Sequence, residues 1–346
     1  MTDPALLVPL GWQPFFSTQC TAEEIENCFP ARVIEHHRFD AEVDSGEERL
    51  LIPLLRNSPK LAVGDWVLLS AQDKIRRLLE RKSCFKRKAA GTKIAPQLIA
   101  ANVDVCFIVC SLNYDFNLNR IERYLSLAHE AGVEPVVVLS KADLCGDPES
   151  FRKQVQSLDP NLAVEAVNCL YPESTRILEP WCRAGNTVVL MGSSGSGKST
   201  LTNTLLGEEL QDTWEIREND SKGRHTTSRR TLFPMPNGAL ILDTPGIREL
   251  QLTDCEEGVH TTFSDIEELT YQCRFSDCSH GNEPGCAVRQ SLENGQLDAR
   301  RLTNYLKLLR EQAQNTASLH EKRSHEKSLG KIYRRAQEEA RRKKSH

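Results

Sequence analysis

The sequence predicts a multidomain protein: a small N-terminal β-barrel, a central α/β domain built on a phosphate-binding loop, and a mostly α C-terminal domain that holds a metal. Three observations predict it. Short apolar runs punctuated by turns fill residues 32–79, near-continuous apolar strands alternate with helical stretches over 100–250, and a Cys/His cluster interrupts the helical pattern after residue 260.

Residues 1–30 carry Pro and aromatic residues with few periodic signals and read as an irregular N-terminal extension. Within 31–95, Val33-Ile34, Leu50-Leu51-Ile52 and Val67-Leu68-Leu69 read as short strands, with turns at Asp44-Ser45-Gly46 and Val63-Gly64-Asp65. Short strands must close or be covered to hide their edges, so a barrel of the OB-fold kind is expected. Over 96–253, Val103–Cys110, Pro135–Leu139, Thr187–Met191 and Ala239–Leu242 are apolar strands, and 119–131 is helical, the pattern of a parallel sheet covered on both faces. Over 254–320 the pattern is helical, with a packing stripe at Leu302, Tyr305, Leu306, Leu308 and Leu309, and 321–346 is a basic tail.

With 39% apolar and 27% charged residues, the 346-residue chain has the composition of a soluble globular protein. It has no apolar run of about 18 residues, so no membrane span is expected. Met1–Leu10 lacks a basic region followed by an apolar core, so no secretion signal is read and the cytoplasm is the expected location. Net charge is −4, against wholesale coating of nucleic acid, but two segments are basic: Asp73–Lys93 has nine Lys/Arg against two acids, and Glu321–His346 has ten against four. Such clusters suit phosphate backbones. Twelve cysteines, nine of them scattered, fit a reducing compartment with one metal site better than a disulfide framework.

Gly192-Ser193-Ser194-Gly195-Ser196-Gly197-Lys198-Ser199 matches the phosphate-loop pattern at every fixed position, between an apolar strand and the helical segment Thr200–Leu206. Glycines let backbone N–H groups wrap the phosphates, and the helix N-terminus adds partial positive charge. Lys198 reaches the β- and γ-phosphates in such loops, and Ser199 ligates Mg2+. Asp243-Thr244-Pro245-Gly246 follows a strand: the acid can hold Mg2+ through water, and Gly246 N–H can approach the γ-phosphate. Between them, Gly223-Arg224-His225-Thr226-Thr227 lies in a polar, aperiodic stretch suited to a switch loop. Thr226 or Thr227 would close over the nucleotide; spacing leaves both open, with Thr227 taken beside Ser199 as the magnesium ligand.

Ser140-Lys141-Ala142-Asp143 ends the strand Val136–Leu139 and resembles the Asn-Lys-x-Asp of GTPases. There the Asp carboxylate accepts both guanine N–H donors, a pair adenine lacks, so Asp143 selects GTP over ATP. Ser140 replaces the usual Asn, which weakens or moves one side-chain hydrogen bond. Asn168-Cys169 occupies the place of a pair that backs the guanine oxygen. These guanine-reading motifs precede the phosphate loop, whereas in ordinary GTPases they follow it. The order is a circular permutation, which joins the Asp-x-x-Gly switch directly to the Cys/His region. Many GTPases orient the attacking water with a Gln just after that motif; Ile247 stands here instead, so His225 is the candidate catalytic residue, with Lys198 and Asp243. Finally, Cys273-x4-Cys278-x-His280-x5-Cys286 offers four ligands for one structural Zn2+.

The permuted order, Gly-Arg-His-Thr-Thr, Asp-Thr-Pro-Gly and the Cys/His spacing, with Ala62–Val67, Arg87–Gly91 and Ala100–Asp104, resemble the RsgA (YjeQ) family of bacterial ribosome-dependent GTPases. The resemblance covers about residues 30–315. It implies an OB-fold, a permuted GTPase domain and a zinc domain. It also implies binding to the small ribosomal subunit and its rRNA late in assembly, slow intrinsic hydrolysis that rises on the subunit, and release after hydrolysis to GDP. A monomer is expected. A binding module in which GTP only locks a conformation is the competing reading, and an ATPase or nucleotide kinase is disfavoured by Asp143.

Overall fold

A computed structural model describes residues 3–37, 39–55, 57–87, 97–207, 231–243, 255–281 and 283–315. They fall into two compact units, drawn from Met1–Lys86 with Leu98–Leu250, and from Arg87–Gln97 with Gln251–His346. No helix among the described residues is long and apolar enough to cross a membrane.

The first unit opens with three short helices, α1 (Pro4–Leu7), α2 (Pro14–Ser17) and α3 (Ala22–Asn27). This corrects the expectation of an irregular N-terminus. The signals are too short for periodicity to show: proline starts α1 and α2, and Thr21 with Glu24 forms a capping box on α3. Phe16 from α2 and Leu7 from α1 pack on Trp66, Leu68 and Leu79, with Trp12 edge-on to Trp66 at 4.8 Å.

Five antiparallel strands follow: β1 (Cys28–His36), β2 (Asp40–Asp44), β3 (Arg49–Pro53), β4 (Trp66–Ser70) and β5 (Ile75–Leu78), in the order β3-β2-β1-β4-β5. The first half of β1 pairs with β4 and the second with β2, and its register shifts between Val33 and Glu35. One strand thus serves two sheet directions, as barrel curvature requires. Ala31, Val33, Ala41, Val43, Ile52, Val67 and Leu69 form the interior. β4 alternates between this interior and the N-terminal helices, so all five of its residues are buried. β6 (Cys84–Arg87) and β7 (Gln97–Ala101) pair as a separate ribbon.

The second half of this unit is the expected α/β sheet. Its strands are β8 (Val105–Ser111), β9 (Glu134–Ser140), β10 (Ala163–Val167), β11 (Thr187–Met191), β12 (Thr231–Pro234) and β13 (Leu240–Asp243). They run β10-β9-β8-β11-β13-β12, parallel except for β12. Helices α4 (Leu118–Glu130) and α5 (Pro148–Gln156) link the strands β8 to β10, and α6 (Pro172–Thr175) and α7 (Lys198–Leu206) flank β11. Their apolar core is built from Val105, Phe107, Val109, Val136, Val138 and Val188 on the central strands, with Leu201 and Leu206 of α7 packed against them. Register aligns Ser111 with Ser140 and Ile108 with Met191, so the loops leaving β8, β9 and β11 emerge at one edge. In open parallel sheets, ligands bind beyond that edge. The barrel joins this sheet through β1 and β12, where Glu35 faces Thr231.

The second unit is helical: Glu256–Thr262, Ser264–Thr270, Ala287–Glu293 and a helix through 299–315. Val259, Phe263, Ile266, Val288, Tyr305 and Leu308 are buried, so the predicted Leu302–Leu309 stripe does pack a core. Arg301 is buried too; it donates to both Asp265 oxygens at 2.8 and 2.7 Å and to Thr262 O at 2.9 Å, which satisfies its charge.

Candidate functional site

Strand β11 delivers the chain into the phosphate loop, and α7 begins at Lys198. Gly192 adopts φ +147°, and a Cβ there would lie 2.2 Å from Val109 O on β8, so only glycine lets the loop leave the sheet here. Gly197, at φ +95°, is the N-cap residue of α7. The α7 N-terminus therefore points its free N–H groups and dipole at the loop. Lys198 is 6% exposed, and its ammonium donates to Gly192 O at 2.8 Å, to Ser193 O, and to Ser196 Oγ at 3.3 Å. Ser194, Gly195 and Ser199 are exposed along the rim, and Thr200 is half-buried.

The segment Ser140–Asp143, which the sequence predicts to read guanine, is bonded to this loop. Ser140 is fully buried, and its hydroxyl donates to Ser196 O at 2.6 Å. The side-chain bond that Ser puts in question is thus made, at the loop's own backbone. Lys141, in the left-handed region at φ +59°, donates from Nζ to Gly195 O at 2.9 Å. The left-handed turn swings the chain into the short helical turn Ala142–Leu144, which leaves Asp143 exposed at the same edge. After β10, the loop at 168–171 is tied to α7 by Thr204 Oγ1, which donates to Cys169 O at 2.5 Å. Burial pushes the Cys169 thiol up to about 11, with nearby Asp143 adding and Lys141 opposing. Asn168 Oδ1 accepts from Leu170 N at 3.0 Å, so this oxygen shapes its own turn. Ser140→Ala would leave Ser196 O without its buried donor. It is expected to weaken GDP binding by roughly three- to tenfold, read by fluorescent-GDP titration; unchanged affinity would mean that the bond does not hold the loop.

Asp115 also reaches the loop, with Arg120 behind it, and no motif singles either out. Asp115 Oδ2 accepts from the Ser193 hydroxyl, and its Oδ1 accepts from Arg120 Nη1 at 2.6 Å. The only sequence signal is Asn117, which caps α4 and fixes the loop before it. Asp243 ends β13, pairing in register with Thr231. His225, Thr226, Thr227, Gly246 and Ile247 lie outside the described residues, as does the tail 321–346.

In the helical unit, Cys273, Cys278, His280 and Cys286 present one ligand atom each, all within 4.8 Å of one another. Cys273 Sγ lies 3.9 Å from Cys286 Sγ and 3.7 Å from His280 Nδ1, and Cys286 Sγ lies 3.6 Å from His280 Nδ1. A tetrahedral Zn2+ with bonds of about 2.3 Å to sulfur and 2.0–2.1 Å to nitrogen requires edges of about 3.8 and 3.6 Å. The edges among Cys273, His280 and Cys286 therefore match that ion, and Cys278, whose sulfur lies within 4.8 Å of the others, completes the set with a small inward shift. Backbone turns bring them together: His280 at φ +60° and Gly285 at φ +77° reverse the chain within the loop. The thiols oppose one another electrically. Burial raises Cys273, but backbone N–H groups of Val288 and Ala287 and the neighbouring thiols outweigh it and hold Cys273 low. The His280 N–H pulls Cys278 down, yet burial and the other two thiols push it up to about 11. A bound dication removes that conflict by stabilising every thiolate at once.

Comparison with known proteins agrees with this architecture. The model of the RsgA GTPase family matches residues 78–253. An ABC transporter model also matches, over 178–332, a stretch containing the same phosphate loop; such loops recur in many nucleotide-binding families. "Small ribosomal subunit biogenesis GTPase RsgA 2" of Vibrio vulnificus is 58% identical over 97% of this chain and 96% of its own length. The RsgA of Xanthomonas campestris pv. campestris is 48% identical over 88% of this chain and 84% of its own. Among solved structures, YjeQ from Thermotoga maritima superposes with a TM-score of 0.62 at 25% identity, covering 82% of this chain and 98% of that one. YloQ, described as a circularly permuted GTPase, superposes with a TM-score of 0.57 at 24% identity over 84% and 97%. With the segment Ser140–Asp143 bonded onto a phosphate loop that follows it in sequence, and with relatives of this identity along nearly its whole length, the chain belongs to the RsgA GTPase family.

Proposed function

We propose that this chain is a GTP hydrolase that acts late in maturation of the small (30S) ribosomal subunit. It binds rRNA, is stimulated by the subunit, and leaves when GTP becomes GDP. The observation that carries the nucleotide half is the Ser140–Ser196 bond, which holds the segment Ser140–Asp143 against the Gly192–Ser199 loop and so supports its reading as the guanine-selecting motif. The ribosomal half is supported by the names of relatives 58% and 48% identical to it.

In this reading Asp143 and Lys141 hold the base, with Ser140 and Asn168 behind them. The Gly192–Thr200 backbone and Lys198 hold the phosphates, and Ser199 and Thr227 ligate the Mg2+ that accompanies GTP. Thr226 and Gly246 close on the γ-phosphate, and Asp243 orders the metal's water. His225 orients the attacking water, a role that Ile247 has no group to fill. Cys273, Cys278, His280 and Cys286 hold one structural Zn2+, leaving no open position for catalysis. The protein works as a cytoplasmic monomer, in five segments: extension 1–30, barrel 31–95, GTPase domain 96–253, zinc domain 254–320 and basic tail 321–346.

The test is GTP turnover with and without purified small subunits at two salt concentrations. Turnover should rise with subunits, and the rise should fall steeply with salt, because phosphate contacts release counterions. Equal turnover in both arms would favour a binding module whose hydrolysis is incidental. In the same assay, His225→Ala should keep GTP affinity while losing most of the stimulation; full stimulation would remove His225 from the reaction.

A further inference from the structure

The loop at 112–117, between β8 and α4, is built around one carboxylate. Asn113 Oδ1 accepts from Ser111 Oγ at 2.8 Å and from the Asp115 N–H at 3.0 Å, an Asx turn. Phe116 N donates to Asn113 O at 3.1 Å, and the Phe116 ring packs edge-on against Phe151 at 4.8 Å. Asn117 caps α4 by accepting from Arg120 N at 3.1 Å. These anchors fix the backbone on both sides of Asp115.

Its two oxygens then have separate partners. Oδ1 takes the Arg120 guanidinium at 2.6 Å and Oδ2 takes the Ser193 hydroxyl. The Arg120 bond, then the Ser193 bond, hold the Asp115 carboxyl below the usual carboxylate range, so both oxygens stay acceptors at neutral pH. Ser193 is the second residue of the phosphate loop, and the carbonyls of Ser193 and Gly192 receive the Lys198 ammonium. A hydrogen bond to an ionised acceptor is stronger than a neutral one, and here it spans 78 residues of sequence.

We infer that Asp115 is a positioning residue for the phosphate loop: clamped by Arg120, it holds Ser193 from the β8–α4 loop and so sets the backbone on which Lys198 rests. This builds on the reading of that loop as the GTP site. Small displacements of such a cradle are costly, because loops of this kind hold phosphates largely through backbone N–H groups of fixed direction. Asp115 meets the loop through Ser193 and Arg120 acts through Asp115, so their effect should appear in binding and turnover together.

The experiment is a double-mutant cycle on the full chain, with fluorescent GDP as the probe and thermal denaturation alongside. Asp115→Ala and Ser193→Ala should each weaken GDP binding by roughly tenfold, with a parallel loss in kcat/KM for GTP. The double variant should be no weaker than either single one, since all three lack the same bond. Asp115→Asn keeps one oxygen that can accept from Ser193 but turns a donor toward Arg120 and loses the charge, so it should recover only part of the affinity. Losses that add in the double variant overturn the inference. So does an Asp115→Ala protein whose melting temperature falls while its GDP affinity stays at the wild-type value. If the wild-type chain binds no guanine nucleotide, the reading of the site fails; if it binds GDP and the cycle shows no coupling, only the role of Asp115 does.

Discussion

Lys198→Ala is expected to lower single-turnover GTP hydrolysis by about 10²- to 10³-fold, the usual cost of removing one preorganised donor from a developing charge. The structure gives the reason for so large an effect. Lys198 is nearly buried, and its ammonium is gathered over the loop by Gly192 O, Ser193 O and Ser196 Oγ. Its cation therefore stands where the loop would receive phosphates, in a region partly screened from water, and a distant surface lysine has no path to replace it. The variant should keep its melting temperature to within a few degrees, because the ammonium's acceptors belong to the phosphate loop itself and not to the apolar core of the sheet. Phosphate release after mixing with excess enzyme measures the effect. A loss smaller than about tenfold would show that the backbone N–H groups and Mg2+ carry the charge without it.

Cys286→Ser should empty the metal site and unfold the unit around it. Cys286 is a member of the cluster, is 5% exposed, and also caps the helix Ala287–Glu293 by accepting from Arg289 N at 3.4 Å. One substitution thus removes a ligand and a helix cap. Metal binding by such sites is worth on the order of 10 kcal/mol, more than most small domains hold in net stability. Metal analysis of the purified variant should fall from about one zinc per chain to near none, as expected when a closed four-ligand site loses a member. Helical circular dichroism should lose its cooperative transition in this unit. A strong chelator should reproduce both effects in the wild-type protein. Cys255→Ser is the control: Cys255 is buried but stands outside the cluster, so zinc should stay bound. Full zinc content and an unchanged transition in Cys286→Ser would show that the cluster is ordinary packing.

The two sites differ in how far the sequence exposes them. The strand, loop and helix around Gly192–Ser199 are legible because phosphate binding demands glycine, lysine and serine at adjacent positions. The strand Thr187–Met191 is found at the predicted residues, since buried parallel strands are written as near-continuous apolar runs. β12 is not visible beforehand: Thr231–Pro234 is four residues long and ends in proline, and it is a strand because β13 pairs with it. The N-terminal helices are missed because partners elsewhere in the chain hold them rather than their own periodicity: α1 and α2 pack in the cluster around Trp66, and Glu24 of α3 pairs with Arg77.

Local spacing by itself marks the phosphate-loop pattern and the Cys/His cluster, because each puts particular residue types within a few positions of one another, and the order of the motifs along the chain marks the permutation. Tertiary structure alone decided that Ser140 bonds to Ser196 across 56 residues and Asp115 to Ser193 across 78. A serine or an aspartate carries no mark of its partner. Which ones meet is set by the register of β8 with β9 and β11, which brings three loops to a single edge.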